Sequence, residues 1–227
     1  MNTQSVPRKS AEGFTLVELL TVIAILGVLV GIVIPVVGKV RENGRQAVCA
    51  SNLRQIMGAT LLYSQDNNGA LPLVVGPASL GEGRRWAPQI QPYLNPSAAA
   101  RSIDPMSVFK CPGDDVVRAN ASAGDSTWCS YGLNIRVHAA GNWQKPTPKK
   151  FSIIPNPSRT ILYGDAWHST NTVLASLSLL TFMGDFHGDG RGSNYVFADG
   201  HIAFMTRAAA LVPDPQTGRE AHLFIPD

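Results

Sequence analysis

The chain has 227 residues, of which 44% are hydrophobic and only 15% charged, with 21 Gly and 16 Pro. That apolar share excludes a chain disordered throughout, and the lack of a Gly-x-y period or sustained heptads excludes collagen and a long coiled coil. A scattered formal net charge of +3 argues for no nucleic-acid partner, and three cysteines with no Cys-x-x-Cys pair cannot staple a disulfide-rich scaffold.

From Phe14 to Gly38 the sequence reads FTLVELLTVIAILGVLVGIVIPVVG, with Glu18 as its one charged residue. The uncharged stretch from Leu19 to Gly38 spans ~30 Å at helical rise, one bilayer core. Lys39-Val40-Arg41-Glu42 follows it, without the small residues of a secretory cleavage site. Cys49 follows Val48 and lies too far past the run to be a lipidated cysteine. A carboxylate inside a membrane helix costs roughly 2.5–3.5 kcal/mol, so Glu18 is expected to have a partner. A free α-amine, with an ordinary pKa near ~8, is the charge that would suit it. Gly27 and Gly31 have the four-residue spacing that lets membrane helices approach, a weak signal by itself. Pro35 removes one backbone hydrogen bond and is expected to let the helix bend. Basic residues flank both ends (Arg8 and Lys9; Lys39, Arg41 and Arg45), so charge alone selects no orientation.

Arg8 and Lys9, followed by Gly13-Phe14-Thr15-Leu16-Val17-Glu18 at the head of the apolar run, closely resemble the class III signal of type IV pilins and type II secretion pseudopilins. The resemblance implies a leader peptide over 1–13, cut between Gly13 and Phe14 by a prepilin peptidase, with N-methylation of Phe14. Residues 14–38 would then remain as a transmembrane and polymerisation helix. Assembly would use Phe14, Glu18 and Pro35: the Phe14 amine of one subunit pairs with Glu18 of a neighbour, and Pro35 stands where many pilins kink. The implied partners are other pilin or pseudopilin subunits, the prepilin peptidase and the inner-membrane assembly platform. The implied location is the bacterial inner membrane, single-pass, with the head periplasmic or extracellular in a filament.

Residues 39–69 are polar yet keep a helical rhythm, with Cys49, Leu53, Ile56, Thr60 and Tyr63 on one stripe. Asp66-Asn67-Asn68-Gly69 is a stop signal, and Pro72 prevents resumption. A helix from Phe14 to about Ser64 would be ~75 Å long. The expected fold class is α+β, a pilin-like lollipop with the long helix packed against a small antiparallel β-sheet head. Cys49-Ala50-Ser51-Asn52-Leu53-Arg54-Gln55-Ile56, then Tyr63 and Leu71-Pro72, resemble a pilin-like subgroup that ends in a His…Asp-Gly signature.

Residues 70–227 read as a loop-rich β head. Trp86–Leu94 is expected to be a short helix or irregular packing segment, kept short by Pro88 and Pro92. Residues 108–112 and 128–134 read as strand-and-turn units, and both again resemble the subgroup. Ser158–Asp165 reads as a strand. Residues 193–206 form a hairpin around Asp199-Gly200, expected as a two-residue type I′ turn. In that register Phe197 opposes Ile202 and Tyr195 opposes Phe204, on a face expected to cover the helix. Ala198, His201, Val196 and Ala203 take the other face. The signature residues are His187, Asp199, Gly200 and His201. The subgroup has nine residues between its His and Asp-Gly, and this chain has eleven, the extra two assigned to 188–192.

In the oxidising compartment that the resemblance implies, Cys111 and Cys129 are the expected bridge. Cys49–Cys111 is the rival pairing, and three thiols the third option. No cofactor is expected. Asp185, Asp189 and Asp199 are the Ca²⁺ candidates, because major type II pseudopilins hold calcium in a C-terminal loop. Their spacing is not that of an EF-hand, and turn formation is the commoner explanation for such Asp residues. No Gly-x-Ser-x-Gly, His-Glu-x-x-His or P-loop is present, so no enzyme is expected. The resulting expectation is a structural subunit of a type II secretion pseudopilus or type IV pilus-like filament. The alternative is a membrane-tethered module that binds a polysaccharide or surface ligand, with Trp86, Trp128, Trp143 and Trp167 as a stacking surface.

Overall fold

A computed structural model describes residues 15–72, 86–95, 108–114, 129–134, 139–140, 147–154, 156–166, 184–185, 187–188, 190–206 and 209. The chain divides into two compact units, Met1–Arg41 and Glu42–Asp227. Helix α1, Leu16–Asp66, contributes to both.

In the first unit, α1 begins with a reciprocal cap. The Thr15 hydroxyl accepts the Glu18 N–H at 3.3 Å. The Glu18 carboxylate in turn accepts the Thr15 N–H at 2.9 Å and its hydroxyl at 2.7 Å. This is the Thr-x-x-Glu capping box, which satisfies backbone donors that the first helical turn leaves without partners. The helix passes through Pro35 without a break. Its large apolar side chains from Leu16 to Val40 are exposed, and none of its most apolar eighteen-residue window is buried. This helix is long and apolar enough to cross a membrane.

In the second unit, α1 buries one face: Cys49, Asn52, Leu53, Ile56, Met57, Ala59, Thr60 and Ser64. The recurrence at three and four residues is the expected stripe, with Tyr63 half-buried at its margin. The helix stops where the turn residues stand. Asn68 takes a left-handed φ of 56°, and the Gly69 N–H reaches back to the Ser64 carbonyl at 2.7 Å, the long bond of a Schellman cap. Beyond it, Ala70 bridges antiparallel to Lys150.

A four-stranded antiparallel sheet, in the order β1-β4-β5-β6, contributes to the same core: β1 (Tyr131–Leu133), β4 (Ile161–Asp165), β5 (Gly192–Phe197) and β6 (Ile202–Thr206). Strands β2 (Ala139–Ala140) and β3 (Thr147–Pro148) pair separately. Helix α2, Trp86–Leu94, has the expected extent and buries Trp86, Ala87 and Ile90. The Trp86 ring lies 5.7 Å from that of Phe109 and 5.0 Å from that of Tyr163. Buried side chains such as Leu53 and Ile56 each contribute roughly 1.5–3 kcal/mol. The fold is therefore α+β, a long N-terminal helix with a small antiparallel sheet.

Three local readings are corrected. Residues 108–109 and 112–113 form turns with no strand between them, and β4 starts only at Ile161, after a turn over 157–159. The hairpin register differs by one residue from the expected one. Tyr195 opposes Ala203 and Val196 opposes Ile202. The Phe197 carbonyl accepts the Gly200 N–H, while the Phe197 N–H reaches the His201 carbonyl. Gly200 sits at φ 92°. The connection is thus a three-residue loop whose last residue occupies the left-handed region and forms a bulge, not a two-residue type I′ turn. A one-residue slip exchanges faces. Val196, Ala198 and Ile202 consequently belong with the helix-side core, whereas Tyr195, Phe197, Ala203 and Met205 pack with Ile161 in a second cluster.

Gly164 is required by close approach: a Cβ there would lie 2.5 Å from Cδ1 of Tyr195. Gly164→Ala is expected to cost about 1–3 kcal/mol of stability by displacing that ring, read as a lowered urea midpoint.

Candidate functional site

Four elements of the second unit converge on one buried imidazole. His187 lies just before a tight turn, where Gly188 and Gly190 have φ of 60° and 77° and His187 bridges back to Gly192 at the start of β5. Its ring is buried. The Nδ1 atom is 3.3 Å from Oε1 of Glu42 on α1. The Nε2 atom is 3.2 Å from Sγ of Cys111 and 3.5 Å from Oδ2 of Asp165, the last residue of β4. Cys111 is bonded to Cys49 on α1, with Cα atoms 5.0 Å apart.

The disulfide corrects the expected pairing. Cys111 joins Cys49 rather than Cys129, which is a buried thiol directed at its neighbour Tyr131, 3.3 Å from that carbonyl. The reason lies in the stripe on α1: it faces the 109–111 turn, and the Asn52 amide also binds the Lys110 carbonyl at 3.0 Å. Cys49 is thereby held beside Cys111.

The protonation pattern follows from partners and burial. A carboxylate at Glu42 can only accept, so Nδ1 of a neutral His187 donates to it and Nε2 carries the lone pair. Burial lowers the His187 pKa, opposed by Glu42. Burial also raises the Asp165 pKa to about 8, against hydrogen bonds from Asn194 that include its N–H at 2.7 Å. The 3.5 Å pair is therefore a neutral acid beside a neutral imidazole near pH 7. Oδ1 of Asp165 is buried and has no hydrogen-bond partner among the described residues.

Gly13 and Phe14 are outside the described residues, as are Asp189, Trp128, Trp143 and Trp167. Trp86 is buried in the core and unavailable as a stacking surface. Asp199 accepts from the His201 N–H at 3.1 Å and lies 2.7 Å from its Nδ1, with both side chains partly exposed at the hairpin turn. The His201 ring stacks on Phe197 at 4.1 Å. His187 and Asp199 thus have separate partners: the first is a core residue, the second a turn residue. Among the described residues, the donors that converge closely enough for a metal are Cys49, Cys111 and His187, a set that excludes Asp165, Asp185 and Asp199. Glu42 and Asp165 were not anticipated. Glu42 stands seven residues before Cys49, two helical turns on the same face, and that spacing is visible in the sequence. Nothing in the local sequence singles out Asp165.

Residues 8–34 match the family described as the prokaryotic N-terminal methylation motif. The chain is also similar to the type II secretion system core protein G of Pseudomonas aeruginosa, at 29% identity over 86 residues. That similarity covers 35% of this chain and 61% of the relative, less than two thirds of its length. No solved structure matches.

Unfolded, the Asp165 carboxyl ionises near 3.8; folded, it holds its proton to about 8. Its contribution to stability is therefore fully present below pH ~4 and is lost as pH rises through ~8. In the oxidised protein, the stability of Asp165→Asn relative to wild type is expected to rise with pH across that window. Urea unfolding at a series of pH values measures it, and a constant difference would contradict the assignment.

Proposed function

We propose that the chain is a pilin-like structural subunit of a type II secretion pseudopilus or type IV pilus-like filament. In this reading it is inserted as a precursor, cut after Gly13 by a prepilin peptidase, methylated on Phe14 and assembled through its N-terminal helix. The observation that carries the proposal is the coincidence of two spans. The methylation motif at 8–34 coincides with the part of α1 whose apolar side chains are all exposed. An apolar helix of that length is stable in lipid or against copies of itself, and costly in water. The similarity to a type II secretion core protein supports a secretion filament over an isolated anchor.

The work of such a subunit is mechanical rather than catalytic. Other pilin or pseudopilin subunits, the peptidase and the inner-membrane platform are its partners, and the globular unit lies on the periplasmic or extracellular side. The His187…Asp199-Gly200 segment, in this reading, belongs to the subgroup signature, with the extra residues taken up in the turn that His187 closes with Gly192.

Glu18 has two separable duties here. Its carboxylate completes the capping box of its own helix, and in the filament its charge meets the Phe14 amine of a neighbour. Glutamine keeps the cap and removes the charge. Intact mass and N-terminal sequencing of protein from bacterial membranes should find a chain beginning with N-methyl-Phe14. Glu18→Gln should be processed and folded but fail to enter filaments isolated from the cell surface or periplasm. A chain still beginning at Met1 beside an active peptidase would overturn the processing reading, and normal assembly of Glu18→Gln would overturn the charge-pairing one.

A further inference from the structure

The Cys49–Cys111 bridge is more than a staple, because the groups around it are those of a metal site. We propose that, when this bridge is reduced, the two thiolates, Nε2 of His187 and the carboxylate of Asp165 form a buried tetrahedral site for a zinc-type divalent cation, the disulfide being the metal-free form of the same site. This inference does not depend on the filament reading.

Three of the four donor atoms already converge. One donor atom from each of Cys49, Cys111 and His187 lies within 4.8 Å of the other two, and all three residues are buried. With zinc–sulfur and zinc–nitrogen bonds of about 2.3 and 2.0 Å, tetrahedral edges are roughly 3.8 Å between thiolates and roughly 3.3–3.5 Å for the others. Nε2 of His187 is 3.2 Å from Sγ of Cys111 and 3.5 Å from Oδ2 of Asp165. Two changes remain: the sulfurs widen by side-chain rotation once the bond between them is gone, and the Asp165 carboxylate, which stands beside Nε2 but outside the 4.8 Å set, turns in toward them.

Two groups here have no other task within the described residues. The Nε2 lone pair faces sulfurs that carry no proton, and Oδ1 of Asp165 is buried without a hydrogen-bond partner. Glu42, on the far nitrogen of the imidazole, holds the tautomer that presents Nε2, as second-sphere carboxylates do for metal-binding histidines. Two thiolates and an imidazole suit zinc and are poor ligands for calcium or magnesium.

The redox step balances with a dithiol reductant. Thiol–disulfide exchange breaks the Cys49–Cys111 bond and gives each sulfur one proton and one electron from the dithiol, which leaves as its own disulfide. The cation then displaces three protons to solvent, one from each thiol and one from the Asp165 carboxyl.

The test uses the full chain in detergent, oxidised or reduced with a phosphine, which becomes its oxide with the oxygen of one water. Titration is with Co²⁺ and then Zn²⁺. The reduced chain should take one equivalent of Co²⁺ with tetrahedral thiolate–cobalt absorption, which Zn²⁺ abolishes, while the oxidised chain takes none. Cys129→Ser should behave as wild type, His187→Ala should lose the absorption, and Glu42→Gln should bind 10–100-fold more weakly. Circular dichroism reports folding in each case. A reduced chain that stays folded and binds no metal overturns the proposal. So does one that unfolds and is not refolded by Zn²⁺. If His187→Ala does not fold, unweakened binding by Glu42→Gln overturns it equally.

Discussion

The second unit is assembled on one face of one helix. From Cys49 to Ser64, α1 presents a buried strip whose members include three polar residues, Asn52, Thr60 and Ser64. Such groups are tolerated in a core only when their hydrogen bonds are met, and each partner then becomes fixed in position. The Thr60 hydroxyl donates to the Ile56 carbonyl and so must accept from the Tyr163 phenol, at 2.7 Å. The Asn52 amide reaches both the Lys110 carbonyl and the Tyr131 phenol. Two strands and one turn are thus tied to the helix by directional bonds, where hydrophobic packing alone would permit sliding. The disulfide adds a covalent tie at one end of the strip, and the Schellman cap ends the helix at the other.

The first unit obeys the opposite rule. Its helix is apolar all round, has no covered face among the described residues, and satisfies its backbone internally. Only a lipid environment or other apolar helices make such a surface favourable. The same helix therefore runs from a stretch in which apolar exposure is general to one in which burial is confined to a strip. The change comes with Lys39, Arg41, Glu42 and Arg45, where the sequence becomes charged.

Much of this was legible in sequence because it rests on local periodicity and local turn chemistry. The apolar run, the strip from Cys49 to Thr60, the stop at Asp66-Asn67-Asn68-Gly69 and the bounds of α2 all follow from neighbours within a few residues. The capping box was equally local, Thr15 and Glu18 at the right spacing, but the charge of Glu18 draws attention away from its backbone role. The hairpin existed where Asp199-Gly200 indicated. Its register did not follow, because Asp-Gly serves both a two-residue turn and a three-residue loop ending in left-handed Gly. The disulfide was illegible for another reason: sequence separation says nothing about which of two partners the fold brings within reach. Cys49 and Cys111 are 62 positions apart in sequence, and the rest of α1 and all of α2 come between them.

The pairing of β4 with β5 has consequences at the buried imidazole. With Val196 opposite Ile202, the face of β5 that carries Val196 also carries Asn194, whose amide reaches the Gln46 carbonyl on α1 at 3.4 Å. The Asn194 N–H is then aimed at Oδ2 of Asp165 across the β4–β5 pair. That bond, which orients the Asp165 carboxyl beside His187, belongs to the β4–β5 pairing, where Gly164 stands opposite Tyr195. The cluster of Glu42, Cys49, Cys111, Asp165 and His187 is a product of tertiary pairing, assembled from four segments, and no single one of those segments contains its chemistry.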